Sequence, residues 1–331
     1  MRAFEYASPK ARQQALGLLG ASWGEAEILA GGTDLISLMK DDVVSPKRVV
    51  NIKDIADLHG IGAAAGGGMR LGALTTLVEI AENAQVRRAY PALANAADEA
   101  ASPQIRNQAT IGGNICQRPR CWYFRNGLGL LAQQDGKSLV TQGDNRYHAI
   151  LGNEGPAYFV SPSTVAPVLI AYGAKVRIAG ASGAPREVAL EKFFVIPRAE
   201  GEREHDLKPN EIVTEIMLPA AAGVRAANYE VRQKETFDWP YAVAAAALTM
   251  SGATVKSARI VMGAVAPVPW VSEEAAAAIV GKAIDDKTAA AAGAAAVSKA
   301  RALSQNGYKI KLAGVAVKRA LLAAAGKGGA A

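Results

Sequence analysis

Cysteine and histidine are scarce in this chain of 331 residues, which has two cysteines and three histidines. Two cysteines exclude a disulfide scaffold and fit a reducing compartment. Cys116 and Cys121 lie five apart with no third or fourth thiol to join them, so a four-thiolate iron–sulfur cluster has no ligand set. A zinc site would need paired histidines, whereas His59, His148 and His205 are isolated in sequence and read as surface or loop residues. Long apolar runs are also missing. The stretch Tyr241 to Met250 is typical of the longest and falls well short of a membrane span. Met1 to Lys10 lacks the basic-then-apolar order of a signal peptide, which gives a cytoplasmic expectation.

Several phosphate and nucleophile signatures fail on inspection. Gly136-Lys137-Ser138 would end a Walker A loop only if residue 131 were glycine, and it is Leu131. Gly127-x-Gly129-x-x-Ala132 satisfies a relaxed dinucleotide fingerprint but follows only the short aromatic run Trp122 to Phe124, with no βαβ unit around it. No nucleophile elbow or metal-ligand box occurs, which assigns the hard chemistry to a cofactor. The net charge is +7 with a pI near 9.3, yet no basic run reaches five residues and no aromatic-basic sheet motif is present. That distribution excludes nucleic-acid binding and fits a solvated surface or a partner-docking face.

What is present supports a sizeable fold. Half of the residues are hydrophobic and one fifth are charged, enough for two or three lobes. Ala26 to Ala30 reads as a strand running into Gly31-Gly32-Thr33, with a helix from Asp34 to Met39. Arg48 to Ile52 and Met69 to Ala73 read as strands, Thr75-Thr76 opens a helix through Glu82, and Tyr90 to Ala101 is an alanine-rich helix. Pro103 to Asn114 reads as extended and glycine-rich. Residues 115–150 have weak periodicity and turn signals at Asn126-Gly127, Asp135-Gly136 and Gly143-Asp144-Asn145, the pattern of an insertion. Ser163 to Tyr172 is a helix, and Ala174 to Ile178, Val188 to Phe194 and Glu211 to Leu218 form one sheet. Composition shifts at residues 219–223, where a domain boundary is expected. Asn228 to Lys234, Ala242 to Met250 and Ala258 to Val265 then alternate as an antiparallel sheet, followed by alanine-dominated helices from Val271.

Two glycine pairs carry the chemical signal. Leu29-Ala30-Gly31-Gly32-Thr33-Asp34-Leu35 joins a strand to a helix, a place where backbone N–H groups can meet a diphosphate if no Cβ stands in the way. A plain strand–turn–helix with a Thr or Asp cap is the competing account. Thr110-Ile111-Gly112-Gly113-Asn114 is the second pair. Together the loops could close on two sides of one dinucleotide, or be unrelated turns.

The order AGGTDL (30–35), LGALTT (71–76), RNQATIGGN (106–114) and GYKIKLAGVAVKRAL (307–321) resembles the FAD-binding medium subunit of the xanthine dehydrogenase, carbon monoxide dehydrogenase and aldehyde oxidoreductase family of molybdenum hydroxylases. MRAFEY at the start and QRPRCWYF (117–124) are similar to the aldehyde-oxidoreductase branch. The resemblance spans nearly the whole chain and implies an α+β fold. A two-lobed FAD-binding domain of PCMH type (1–220, lobes about 1–55 and 56–220, insertion about 115–150) precedes a smaller sheet-and-helix C-terminal domain (221–331). It implies that residues 29–35 and 110–114 hold the diphosphate and ribityl parts of FAD, and that Lys234, near Phe237-Asp238-Trp239, places positive charge by the flavin ring. Two departures stand out. The family's Ser-Asp pair at the helix after the insertion is Ser163-Thr164 here, so Thr164 takes the ribityl contact with a single hydroxyl. The insertion, which carries a cubane cluster in some relatives, keeps only Cys121 in a matching context, so no [4Fe–4S] cluster is expected.

The implied function is electron relay from a partner's [2Fe–2S] centres through FAD to an external acceptor, beside a large subunit with the molybdenum cofactor. Free-standing MurB-like flavin reductase and scaffold subunit that has lost FAD are the rivals. Neither nucleic-acid binding nor membrane insertion is implied. The compartment is the cytoplasm, or the periplasm if a partner with a twin-arginine signal carries the complex out.

Overall fold

The computed structural model describes residues 1–234 and 238–327; Phe237, singled out above, lies outside them. The first 51 residues build a three-stranded sheet in which Arg48–Asn51 lies between Glu5–Ala7 and Ala26–Leu29, all parallel. Its core residues Ala15, Leu16, Val50 and Ile52 merge with Leu58, Leu74, Ala179 and Ile212 from the next lobe.

That second lobe is a five-stranded antiparallel sheet ordered Ile61–Ala63, Met69–Gly72, Glu211–Leu218, Lys175–Gly180, Arg186–Ala189. Helices Leu77–Glu82, Pro91–Asp98 and Val165–Ala171 bury their apolar faces on it. Thr76 starts the first with a reciprocal capping box to Glu79, as its Thr-Thr opening anticipates. The strand expected over Val188 to Phe194 is shorter. Arg186–Ala189 pairs, then Leu190–Phe193 turns helical because Leu190 and Phe193, three apart, both enter the core.

The stretch expected to be extended before Asn114 is also different. It holds two short helices, Pro103–Arg106 capped by Ser102 and Ile111–Cys116 capped by Thr110. Serine before proline, and threonine three residues before a glycine N–H, are cap signals that outweighed the glycine content.

The C-terminal sheet runs Val224–Val231, Ala242–Ser251, Thr254–Gly263, Trp270–Val271, each pair antiparallel. Helix Tyr308–Ala324 covers it and helix Asp286–Ala296 packs on that helix in turn, and their alanines are internal: Ala289, Ala292, Ala313 and Ala316 are fully buried. A Cβ on Gly293 would overlap the Gly314 carbonyl oxygen, so these two helices touch backbone to backbone. The sheet's Ala245, Ala247 and Val261 also belong to the core of the second lobe, so packing is continuous across residues 219–223.

The insertion is laced to the far end of the chain. Asn145 Nδ2 donates to Ser304 Oγ, Asn306 Nδ2 to the carbonyls of His148 and Ala149, and Tyr308 Oη to the Arg146 carbonyl. Lys309, 1% exposed, donates to the carbonyls of Tyr147, His148 and Ala264 at 3.0, 3.1 and 2.7 Å. Within the insertion, Asp135 and Gly136 take positive φ and close the hairpin Gln133–Gln134 to Lys137–Ser138.

Candidate functional site

Both glycine pairs meet at one cavity of about 480 Å³ between the first two lobes and the edge of the C-terminal sheet. Ala30, Gly31, Gly32, Thr33, Asp34 and Leu35 line it from one side, and Thr110, Gly112, Gly113, Asn114 and Thr164 from the other. Leu29 and Ile111 do not: their side chains enter the cores with Val49 and with Leu93. Lys234 is exposed and is absent from the wall, where Arg232 stands instead.

The four glycines differ in what their missing Cβ would meet. A Cβ on Gly31 would overlap the Gln108 carbonyl, and one on Gly112 would press on Ala73, so these two let the loops pack on protein. Gly32 sits at φ 76°, and its missing Cβ faces Leu29 and Ile36 rather than the cavity. A bulky residue there would therefore strain the turn rather than block a diphosphate. Only Gly113 combines a place in the wall with open space, since an added Cβ meets nothing within 4 Å but Thr110 Oγ1.

The donors are also unequally divided. In the second loop, the N–H groups of Ile111, Gly112, Gly113 and Asn114 go to Thr75, Ala73, Thr110 Oγ1 and the Thr110 carbonyl. In the first loop, the N–H groups of residues 32–35 have no protein acceptor among the described residues. Asp34 does not cap its helix. Its carboxylate accepts from the Arg118 N–H at 2.8 Å and from Arg125 at 2.8 Å, and pairs with Arg120 at 3.0 Å, anchoring the 117–125 stretch beside the loop.

Across the cavity, Ser163 caps the helix after the insertion and donates to Asn114 Oδ1 at 2.6 Å. Thr164 Oγ1 is buried with no hydrogen-bond partner among the described residues. Two buried carboxyl groups and their arginine partners also line the cavity. Burial pushes Glu27 up to about 7 against the pull of Arg118, and Arg203 lies 3.3 Å from it while stacking on Trp23. Burial likewise pushes Glu230 up to about 7 against its partner Arg232 at 2.5 Å, and Glu230 Oε1 has no hydrogen-bond partner among the described residues.

Two of the histidines read as surface or loop residues are buried. His205 stacks on Phe193 and lines the cavity. His148 lies with Nε2 3.2 Å from Cys121 Sγ. Burial, aided by Lys309, pulls its pKa down to about 4 from the usual 6.5. Between those values the unfolded chain binds the extra proton, so this contribution is complete above pH 6.5 and disappears as pH falls to 4. Its size is about 3 kcal/mol. In urea unfolding, the parent should lose about that much more stability between pH 7 and 4 than His148→Phe does, and equal losses would contradict the burial argument.

A largely apolar cleft in an α+β fold, lined by free backbone donors and an orphaned hydroxyl, fits a dinucleotide cofactor. The comparisons give the family. The model for the FAD binding domain in molybdopterin dehydrogenase matches residues 2–221, and that for the CO dehydrogenase flavoprotein C-terminal domain matches residues 227–324. The chain belongs to this family and is an FAD-binding oxidoreductase subunit of the molybdenum hydroxylase type. It is 32% identical over 325 residues to the carbon monoxide dehydrogenase medium chain of Hydrogenophaga pseudoflava, covering 97% of this chain and 96% of that one. To the aldehyde oxidoreductase FAD-binding subunit PaoB of Escherichia coli K12 it is 31% identical over 256 residues, covering 76% and 78%. The solved carbon monoxide dehydrogenase from H. pseudoflava lacking the Mo-pyranopterin moiety superposes with a TM-score of 0.78 at 30% identity, over 99% of each chain. The free-standing reductase and scaffold readings give way to these matches.

Proposed function

We propose that residues 30–35, Gly113, Asn114 and Thr164 hold FAD in this cleft, and that the chain relays electrons from a partner's [2Fe–2S] centres to an external acceptor. The observation that supports the placement is the run of N–H groups at residues 32–35 with no protein acceptor among the described residues, in a cavity whose lining also includes the buried, partnerless Thr164 hydroxyl. Backbone donors suit a diphosphate, and a lone hydroxyl suits the polyol chain of FAD despite the absence of the family's aspartate. Bound FAD supplies the capacity to take electrons singly and store two. The chain's part is to bind and orient: Asp34 fixes the arginines beside the loop, and Arg232 provides the positive charge that the resemblance assigned to Lys234.

The family models end and begin on either side of residues 222–226, which supports a first unit of 1–220 and a second of 221–331. The medium-chain relatives imply a large and a small companion; by resemblance these carry the molybdenum cofactor and the [2Fe–2S] centres. Among the described residues no helix is long and apolar enough to cross a membrane. The cytoplasm is our proposed compartment, with carriage to the periplasm on a partner's twin-arginine signal as the alternative.

The isolated, FAD-loaded chain should be inert towards aldehydes and purines, and its flavin should bleach on substrate addition only once both companions are present. Bleaching by the chain alone would overturn the relay. Iron and acid-labile sulfide on the isolated chain should both be near zero. Among the described residues no group of three or more His, Cys, Asp or Glu side chains is placed to hold a metal. Stoichiometric iron would refute the expectation.

A further inference from the structure

One carboxyl group in the wall of the cleft has no part in holding the loops together. The side chain of Glu230 is 2% exposed. Arg232 holds one of its oxygens, Oε2, with Nε at 2.8 Å and Nη2 at 2.5 Å, while Oε1 has no hydrogen-bond partner among the described residues. With its pKa pushed by burial to about 7, against the pull of Arg232, the group changes protonation when the charge near it changes. Few charges face it. Glu99, just past helix Pro91–Asp98, lies 3.9 Å from Arg232, and Asp98 pairs with Arg106. Asp238 lines the same cavity. The neighbouring strand Ala242–Ser251 has no ionisable side chain. Arg319 of the covering helix meets Tyr229, which points to the opposite face of the strand from Glu230.

The surrounding chain ties this acid to the part of the cleft near Thr164. The Tyr241 N–H donates to the Val231 carbonyl at 2.8 Å, so the chain at Pro240 returns beside Glu230 and Arg232. A second cavity of about 300 Å³, lined in part by Tyr147, His148 and Lys309, meets the first at Thr164, Asp238, Trp239 and Pro240. With the polyol of FAD at Thr164, the flavin ring, its next bonded group, belongs with this wall and with Arg232.

We propose that Glu230 takes up one proton when the flavin is reduced and releases it when the flavin is reoxidised. The inference rests on FAD lying in this cleft with its ring beside Arg232. Two electrons arrive singly from the partner's [2Fe–2S] centres. Together with one proton from solvent they leave the ring as an anion, the form that a neighbouring guanidinium favours. Two negative groups then compete for the charge of Arg232. A second proton from solvent forms an O–H bond at Oε1, the oxygen that the arginine does not hold, and the charge of Arg232 offsets that of the ring. Passage of the two electrons to the external acceptor reverses both steps and returns both protons to solvent.

Reduced-minus-oxidised infrared spectra of the full FAD-loaded chain, taken in an electrochemical cell at about pH 8, test this. In the oxidised state at that pH Glu230 is mostly carboxylate, so reduction should create the C=O band of a protonated carboxyl. The band should vanish in Glu230→Gln and persist in Glu27→Gln, which removes the other carboxyl that burial raises to about 7 in this cavity. The same cell gives the flavin potential. A tenfold change is about 30 mV for a two-electron couple, so above pH 7 the parent should approach about 59 mV per pH unit, for two protons, and Glu230→Gln about 30 mV, for one. Absence of the carboxyl band in the FAD-loaded parent would overturn the inference whether or not the variants fold. So would a band that survives in Glu230→Gln, or equal slopes in the two proteins. A chain that shows no flavin absorbance after loading would overturn the flavin reading and this inference together, whereas a loaded chain without the band overturns this inference alone.

Discussion

Gly113→Leu is expected to lose FAD while keeping its fold. A leucine side chain would leave a Cβ that meets only Thr110 Oγ1 and extend into the space between the two loops. Intruding on a bound group by even a few methylenes costs about 1–3 kcal/mol, so affinity should fall roughly tenfold or more. The helix behind it should survive, with about 1 kcal/mol lost through the crowded Thr110 cap. Gly31→Ala is the informative contrast. Its Cβ would overlap the Gln108 carbonyl, forcing the loops apart, and should cost about 2–3 kcal/mol of stability before any question of flavin arises. Equilibrium dialysis against FAD, with urea unfolding of the apo forms, separates the two. Parental affinity in Gly113→Leu would show that the flavin lies elsewhere.

Lys309→Met should cost about 3 kcal/mol of stability, although methionine nearly matches the lysine stem. The ammonium is 1% exposed and serves three carbonyl oxygens, those of Tyr147, His148 and Ala264. Burial drags its pKa down to about 7, while three acceptors around one nitrogen favour the protonated form. With the amine gone, the carbonyls of Tyr147 and Ala264 stay buried without this donor, each at a cost of about 1–3 kcal/mol. Hydrogen exchange should locate the loss in residues 145–149. A variant as stable as the parent, with those amides equally protected, would mean that water replaces the lysine fully.

Much of this fold was legible because its signals are local. The strand Ala26–Leu29 and the capping box at Thr76 obey short-range rules, and the structure places them within a residue or two of the expected bounds. The two glycine loops do converge on one cavity, as the dinucleotide reading anticipated, yet the glycines could not be sorted from sequence. Whether a missing Cβ faces the cavity, as at Gly113, or a carbonyl, as at Gly31, is decided by residues dozens of positions away. The same limit hid the ionisable groups. Asp34 looked like a helix cap and instead gathers Arg118, Arg120 and Arg125 from 84–91 positions onward. His148 read as a surface or loop residue because partners such as Lys309 and Asn306, whose side chains hold its carbonyl, lie 161 and 158 positions away. Leu29 and Ile111 share a motif with cavity residues, but the motif does not tell which way a side chain points.

The lacing between residues 145–149 and 304–309 bears on how the protein is made. Tyr308 and Lys309 reach partners 162 positions earlier, so synthesis must pass residue 309 before the insertion can acquire these hydrogen bonds. The first two lobes can collapse during synthesis, but one wall of the second cavity stays unsecured until the helix Tyr308–Ala324 has emerged and docked. Maturation of that wall is thus tied to synthesis of the helix Tyr308–Ala324. A message truncated before codon 304 would yield a nascent protein whose FAD-binding lobes are present but whose insertion has nothing to hold it, a product suited to proteolytic clearance rather than assembly.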